Sequence, residues 1–341
     1  GVYTVNYTAT LTGALENIET TSGDPSVVAG LDTVIVGVQI IVGDVNGQTD
    51  SAIQSVTIID DVPDAQLSAL GEAIANSEAF DGELPVVIVD ESAGEQDNPE
   101  DNIADRQSSA DFSSLFANDT DGSTVTTDDD VVFGADGPGS VDYALSLATG
   151  GADLSADGSQ GVESGVFAAS GPGAGEQITL HNNGGVIEGR AGGAVYFTIA
   201  VNAGTGSITL AQTDVGSIAH PDAPDNYDEV VSLTGEGLTE EEGSVSYQIN
   251  LTQTVFDSEG DNDSVTIDLA GDLSGGNVEG GSFAFNFSDD GPEAVNDGLL
   301  DTVSEDASSA VIGTLNDLLG DDSYGADGAA ASNAITIAQG D

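Results

Sequence analysis

Cysteine, methionine, tryptophan and lysine are all missing, and two arginines, Arg106 and Arg190, are the whole supply of permanent positive charge. Without cysteine there is no disulfide, no thiolate zinc site and no cysteine nucleophile. Without a basic patch, nucleic acid and anionic membrane surfaces drop out as partners, because both are held by clustered Lys and Arg. Two histidines, His181 and His220, leave little material for a His-rich metal site or a Ser-His-Asp triad. No apolar run approaches the roughly 18 residues of a spanning helix, so membrane insertion is not expected, and no signal-peptide pattern opens the sequence. Aromatic residues make up 5% of the chain, so paired carboxylates lack the sugar platforms a glycosidase needs. No enzymatic activity is expected.

What is present in excess is negative charge. Asp and Glu number 61, and the formal net charge is −59. Self-repulsion on that scale usually opposes compaction. Yet 38% of the residues are hydrophobic before the 46 glycines are counted, and they alternate along the chain. Such a chain builds a core but needs counter-charge on its surface. Hard carboxylate oxygens favour Ca2+, which is available at millimolar levels outside cells. High salt is the other remedy, and both imply an extracellular setting. The length allows two or three domains.

Strand patterns dominate. Val2–Leu11, Asp32–Val42, Val86–Val89, Tyr143–Leu147, Ile178–Leu180, Tyr196–Val201 and Ile208–Leu210 are short β-branched or aromatic runs bounded by Gly, Asn or Asp. Asn182–Gly185 and Asn202–Gly206 read as hairpin loops. Val245–Leu251 and Val265–Leu269 alternate at period two, so each should bury one face. Leu67–Ala79 has the alanine content of a short helix, and Phe112–Phe116 that of a single turn. Close-spaced strands with glycine-rich turns predict an all-β fold of β-sandwich domains.

Internal repetition sets the organisation. An acidic glycine turn, a strand and an Asp-Asp-x-Pro-acidic-Ala terminator occur at Asp44–Ala65 and again at Asp257–Ala294. Proline at each terminator ends the last strand and stiffens the linker. The boundaries follow. Residues 1–63 read as the C-terminal part of one β-domain, 64–291 as a complete larger domain, and 292–341 as the N-terminal part of the next. Joined tail to head, the two end pieces reach an ordinary sandwich size, and Ile335–Asp341 followed by Gly1–Val5 reads as strand, turn, strand. Neighbouring copies of the same repeat are therefore the expected partners, and the apolar run Val34–Val42 the face they would cover.

Several motifs carry a family resemblance. They are Val89-Asp90-Glu91-Ser92, Tyr143–Leu147, Val186–Arg190, His220-Pro221-Asp222 with Asp228–Leu233, and the Asp257–Asp263 turn ending in Asp289-Asp290-Gly291-Pro292. In this order, over residues 86–292, they resemble the repeat domains of giant type I-secreted RTX adhesins of Gram-negative bacteria. The flanking pieces are similar to the cadherin-like repeats of the same proteins. The resemblance implies tandem Ig/cadherin-like sandwiches arranged end to end, Ca2+ as the cofactor, a place on the bacterial cell surface, and a part in adhesion and biofilm. Gly-Gly-x-Gly-x-Asp secretion repeats are absent, so the secretion route is implied only by the resemblance.

The candidate sites are carboxylate clusters. Asp257, Glu259, Asp261 and Asp263 recur at alternate positions around Gly260, and such a turn can curl six to eight oxygens around one Ca2+. The plainer alternative is a solvated acidic hairpin. Asp44, Asn46 and Asp50 form the equivalent set in the first copy. At the junctions, Asp60 and Asp61, and Asp289 and Asp290, lie beside proline, with Glu91 or Glu305 following in the next domain. A cation shared across the linker would stiffen the joint; the alternative is that these aspartates make turns. His220 and His181 read as structural loop histidines, and Glu188 with Arg190 as a structural pair.

Two functions from different classes follow. One is a Ca2+-stiffened extender or fibre segment of a surface adhesin. The other is a module recognising a host or matrix sugar or protein, using long Gly-rich loops such as Ala152–Gly175.

Overall fold

The computed structural model describes residues 33–59, 63–78, 83–91, 106–117, 133, 137–169, 174–220, 229–238, 243–258, 260–274 and 282–289. These residues form an all-β fold, in which helix is confined to α1 (Ala69–Ala75) and a 3-10 turn (Ser113–Leu115). Both lie where the sequence predicts them. The chain divides into two units, 1–69 with 116–142 and 253–265, and 70–115 with 143–252 and 266–341.

In the first unit, β1 (Thr33–Gly43) and β2 (Thr49–Ile59) form a two-stranded antiparallel hairpin, with Thr33 opposite Ile59 and Gly43 opposite Thr49. Its turn is built from Asp44, whose Oδ1 accepts the Asn46 N–H at 2.9 Å and the Gln48 N–H at 2.8 Å. Gly47 sits at φ +82°, where a Cβ would be strained. Ile40, Ile41, Val42 and Ile53 are exposed. Neighbouring residues of a strand point to opposite faces, so both faces carry exposed apolar residues near the turn. A small core joins Ala65, Ala117 and Val255, with Phe133, Val141 and Val265 packed on it.

The strands that follow are β3 (Val87–Asp90), β4 (Gln107–Asp111), β5 (Pro138–Thr149), β6 (Ala152–Asp153), β7 (Asp157–Ala169) and β8 (Ala174–Asn183). Then come β9 (Val186–Ala191), β10 (Ala194–Val201), β11 (Ser207–Gln212), β12 (Val230–Ser232) and β13 (Glu236–Leu238). The last are β14 (Ser244–Asp257), β15 (Asn262–Asp268) and β16 (Phe285–Ser288).

The second unit is organised by a six-stranded antiparallel sheet of order β4-β11-β10-β9-β8-β7 and a three-stranded sheet of order β12-β16-β3. A further sheet has the order β13-β14-β5-β6, with β15 beside β14. The core of the unit lies between layers. The rings of Phe197 on β10 and Phe287 on β16 meet at 4.8 Å between centroids, and Phe112 stacks on Phe285 at 6.3 Å. The Tyr247 hydroxyl on β14 donates to the Ser164 carbonyl on β7 at 3.1 Å, and burial pushes its pKa up.

One expectation is overturned. Ala152–Gly175 is not a long loop: β6, the thirteen residues of β7 and the first residues of β8 occupy most of it. The inward positions of β7 include Val162, Ser164, Val166 and Ala168. Serine and alanine there disguise the period-two pattern as small-residue filler.

Gly189 on β9 lies under the fully buried Phe197 ring, and a Cβ at that position falls inside contact distance of three ring carbons. We expect Gly189→Ala to cost about 1–3 kcal/mol through this overpacking, read as a lower denaturation midpoint at unchanged slope.

Candidate metal centre

β3 and β16 run parallel, with Val87 opposite Phe285 and Asp90 opposite Ser288. β3 is Val-Ile-Val-Asp and β16 is Phe-Asn-Phe-Ser, and both faces of each are largely covered, as a parallel pair requires. The chain leaves the pair at the same level on each side, at Glu91 and Asp289. The Glu91 N–H donates to the Ser288 carbonyl at 3.3 Å, and the Asp289 N–H to the Glu229 carbonyl at 2.8 Å, continuing the β12 ladder.

Glu91 is completely buried. Its Oε1 accepts from the Gln212 side-chain amide and from the Ile218 backbone N–H. Its carbonyl accepts from Arg106 Nε at 3.1 Å, and the same guanidinium donates to the Thr213 carbonyl at 3.2 Å. Arg106 also pairs with Asp214 at 3.1 Å, but that carboxylate is fully exposed and the pair adds little stability. One of the two arginines is therefore committed to tying main chain together around Glu91.

His220 ends a segment laid along β7. The Ala169 N–H donates to the Ser217 carbonyl at 2.9 Å, the Ala219 N–H to the Phe167 carbonyl at 2.8 Å, and Ala168 bridges Ile218. Ile218 and Ala219 are both buried and anchor the segment on which His220 sits. Both ring nitrogens of His220 are shut off from solvent, and neither completes a hydrogen bond of ordinary geometry. Burial pushes the imidazole pKa down to about 4, against the Glu229 carboxylate and backbone, which act to raise it. The ring is therefore neutral at pH 7, with a lone pair to offer.

The ligand atoms of Glu91, His220 and Asp289 all lie within 4.8 Å of one another. Among the described residues this is the group of three that meets that criterion. Three motifs far apart in sequence converge here, and each belongs to the set that carried the family resemblance.

The other predicted ligands go elsewhere. Asp257 is buried, and its Oδ1 accepts the Gly260 N–H at 2.8 Å and the Asp261 N–H at 3.0 Å, with Gly260 at φ +99°. Asp263 Oδ2 accepts the Ala65 N–H at 3.0 Å. Asp44 holds its own turn, the Asn46 amide reaches the other Asp44 oxygen at 3.5 Å, and Asp50 accepts the Ser51 N–H at 2.9 Å. By donor type these oxygens fit Ca2+; Asp44 and Asp257 each hold an acidic turn, and Asp263 ties the 257–263 turn to Ala65. Asp60, Asp61, Glu259, Asp290 and Glu305 lie outside the described residues.

The second histidine is absorbed by the sheet. His181 meets Thr179 Oγ1 at 2.9 Å and the Gly158 carbonyl at 3.2 Å, with its ring against Gly161. Arg190 pairs with Glu188 through Nε at 2.8 Å and Nη2 at 2.5 Å, as the sequence predicts. The Asn183 amide and Arg190 together hold the Glu188 carboxyl below its ordinary range.

Residues 86–270 match a domain of unknown function, DUF5801, which spans more than half of the chain. No curated protein matches, and no solved structure matches.

Proposed function

We propose, for a chain that belongs to the DUF5801 family, a structural role: an extender segment of a bacterial extracellular adhesin, built of β-sandwich domains set end to end and serving adhesion or biofilm. The observation that carries this reading is the parallel pairing of β3 with β16. These are the first and last described strands of the second unit. Tension entering before Val87 and leaving after Ser288 pulls the two strands in opposite directions along their length. The ladder is then loaded in shear, and its bonds must fail together rather than one at a time. That is the arrangement a load-bearing spacer needs, and a ligand-binding module does not need it. The module reading also loses its main support, since Ala152–Gly175 is largely strand.

Charge supports the accompanying role for Ca2+. A net −59 has to be neutralised on a folded surface, and the acidic turns offer hard oxygens. Neighbouring copies of the repeat are the proposed cover for the exposed Ile40, Ile41, Val42 and Ile53 of the β1–β2 hairpin.

The test is direction-dependent unfolding by force. The chain has no cysteine, so two introduced cysteines make unique handles. Handles at 86 and 290 shear β3 against β16; handles at 86 and 282 peel them apart from one end. We expect the shear geometry to need several times the force of the peeling geometry. Equal forces would remove the load-bearing reading.

A further inference from the structure

We propose that Glu91, His220 and Asp289 form a divalent-metal site that takes a borderline first-row cation, Zn2+ in preference to Ca2+. The site stands apart from the load-bearing role and is tested without reference to it.

The donor set decides the class of ion. One imidazole nitrogen and two carboxylates are ordinary zinc ligands, and three protein ligands leave a fourth tetrahedral position for water. Ca2+ takes six to eight oxygens and has little use for imidazole. The second observation is the histidine itself: two ring nitrogens sealed from water without a proper hydrogen bond, beside two carboxylates whose oxygens lie within 4.8 Å. A cation of charge +2 gives a nitrogen lone pair its partner and matches the two negative charges. The supporting shell is already built. Gln212 and the Ile218 N–H fix one oxygen of Glu91, which sets the carboxylate plane as hydrogen-bond donors behind a ligand do in zinc sites. Ile218 is also two residues from His220, so one short segment positions both ligands. Bound metal would join the points where the two parallel strands end, linking Glu91 after β3 to Asp289 after β16.

The acidic surface will collect cations weakly everywhere, so the experiment is done on the full chain, stripped with chelator and then held in millimolar Ca2+. Zn2+ is titrated while the histidine ring resonances are followed by NMR. Two histidines give two sets of signals, and His181 is the internal control. We expect one equivalent of Zn2+ to shift the His220 ring and leave His181 in place. In Asp289→Asn and Glu91→Gln the midpoint should rise about tenfold or more, the scale on which zinc-site changes act. Co2+ in place of Zn2+ should give the visible absorption of a tetrahedral nitrogen–oxygen site. Two results would overturn the proposal: both histidines shifting in parallel, or neither shifting at one equivalent against the Ca2+ already present. Should a variant fail to fold, the wild-type titration with its two resonances still decides.

Discussion

Chelating divalent cations at low ionic strength is expected to lower the melting temperature of this chain substantially, and restoring Ca2+ alone to bring it back. The chain holds 61 carboxylates against two arginines, and both arginines already pair with carboxylates of their own. Two like charges about 4 Å apart repel by about 1 kcal/mol even in water. Each such pair relieved by an ion is worth about 2–4 °C in a unit of this size. The effect should shrink in 1 M salt, where the screening length falls to about 3 Å. That salt dependence separates charge relief from a single tight site, whose contribution would survive screening. A melting curve at low salt that excess chelator leaves unmoved would rule out Ca2+ as the stabilising ion.

The second large effect is expected at Glu91. In Glu91→Ala two buried donors, the Gln212 amide and the Ile218 N–H, lose their acceptor, and a cavity opens in a fully buried position. Orphaned buried donors cost about 1–3 kcal/mol each, so the loss should reach about 3–5 kcal/mol. Glu91→Gln is the informative contrast. It keeps the Oε1 acceptor in place and should retain most of the stability, while removing a ligand charge. Measured by denaturant unfolding in chelator, the two variants should differ by at least about 2 kcal/mol. Equal losses would mean that the side chain matters for its charge, not for its hydrogen bonds.

The fold was legible wherever the core is made of large residues. Tyr196–Val201 and Ile208–Leu210 read as strands around the Asn202–Gly206 loop, and they are β10 and β11. Val245–Leu251 read as alternating, and Tyr247, Ile249 and Leu251 are buried. Strands that bury small residues, or none, escaped notice. In β7, Ser164 and Ala168 occupy inward positions; β4, Gln-Ser-Ser-Ala-Asp, buries none of its residues and pairs with β11 through backbone and a Ser109–Thr209 hydroxyl contact at 2.7 Å. The site was half legible. Glu91 and Asp289 stood out as acidic residues next to strand ends, but as members of two different linkers. Their adjacency depends on the parallel pairing of β3 and β16, a contact between segments nearly two hundred residues apart that no local pattern encodes. His220 carried two signals, its rarity and its place in the His220-Pro221-Asp222 motif, and neither pointed to a metal.

The two arginines have a consequence of another kind. Trypsin-like proteases cut after Lys or Arg, and they must draw the bond and its neighbours into an extended strand of their own. This sequence offers such enzymes two bonds. One follows Arg106, whose guanidinium holds the Glu91 and Thr213 carbonyls and whose carbonyl accepts the Gln212 N–H. The other lies inside β9, between β8 and β10, with Arg190 clasped by Glu188 and the Gly158 carbonyl. Neither can be presented without opening the six-stranded sheet. Digestion by that class of enzyme is therefore governed by how often the fold opens, and its rate reads the stability of the sheet directly.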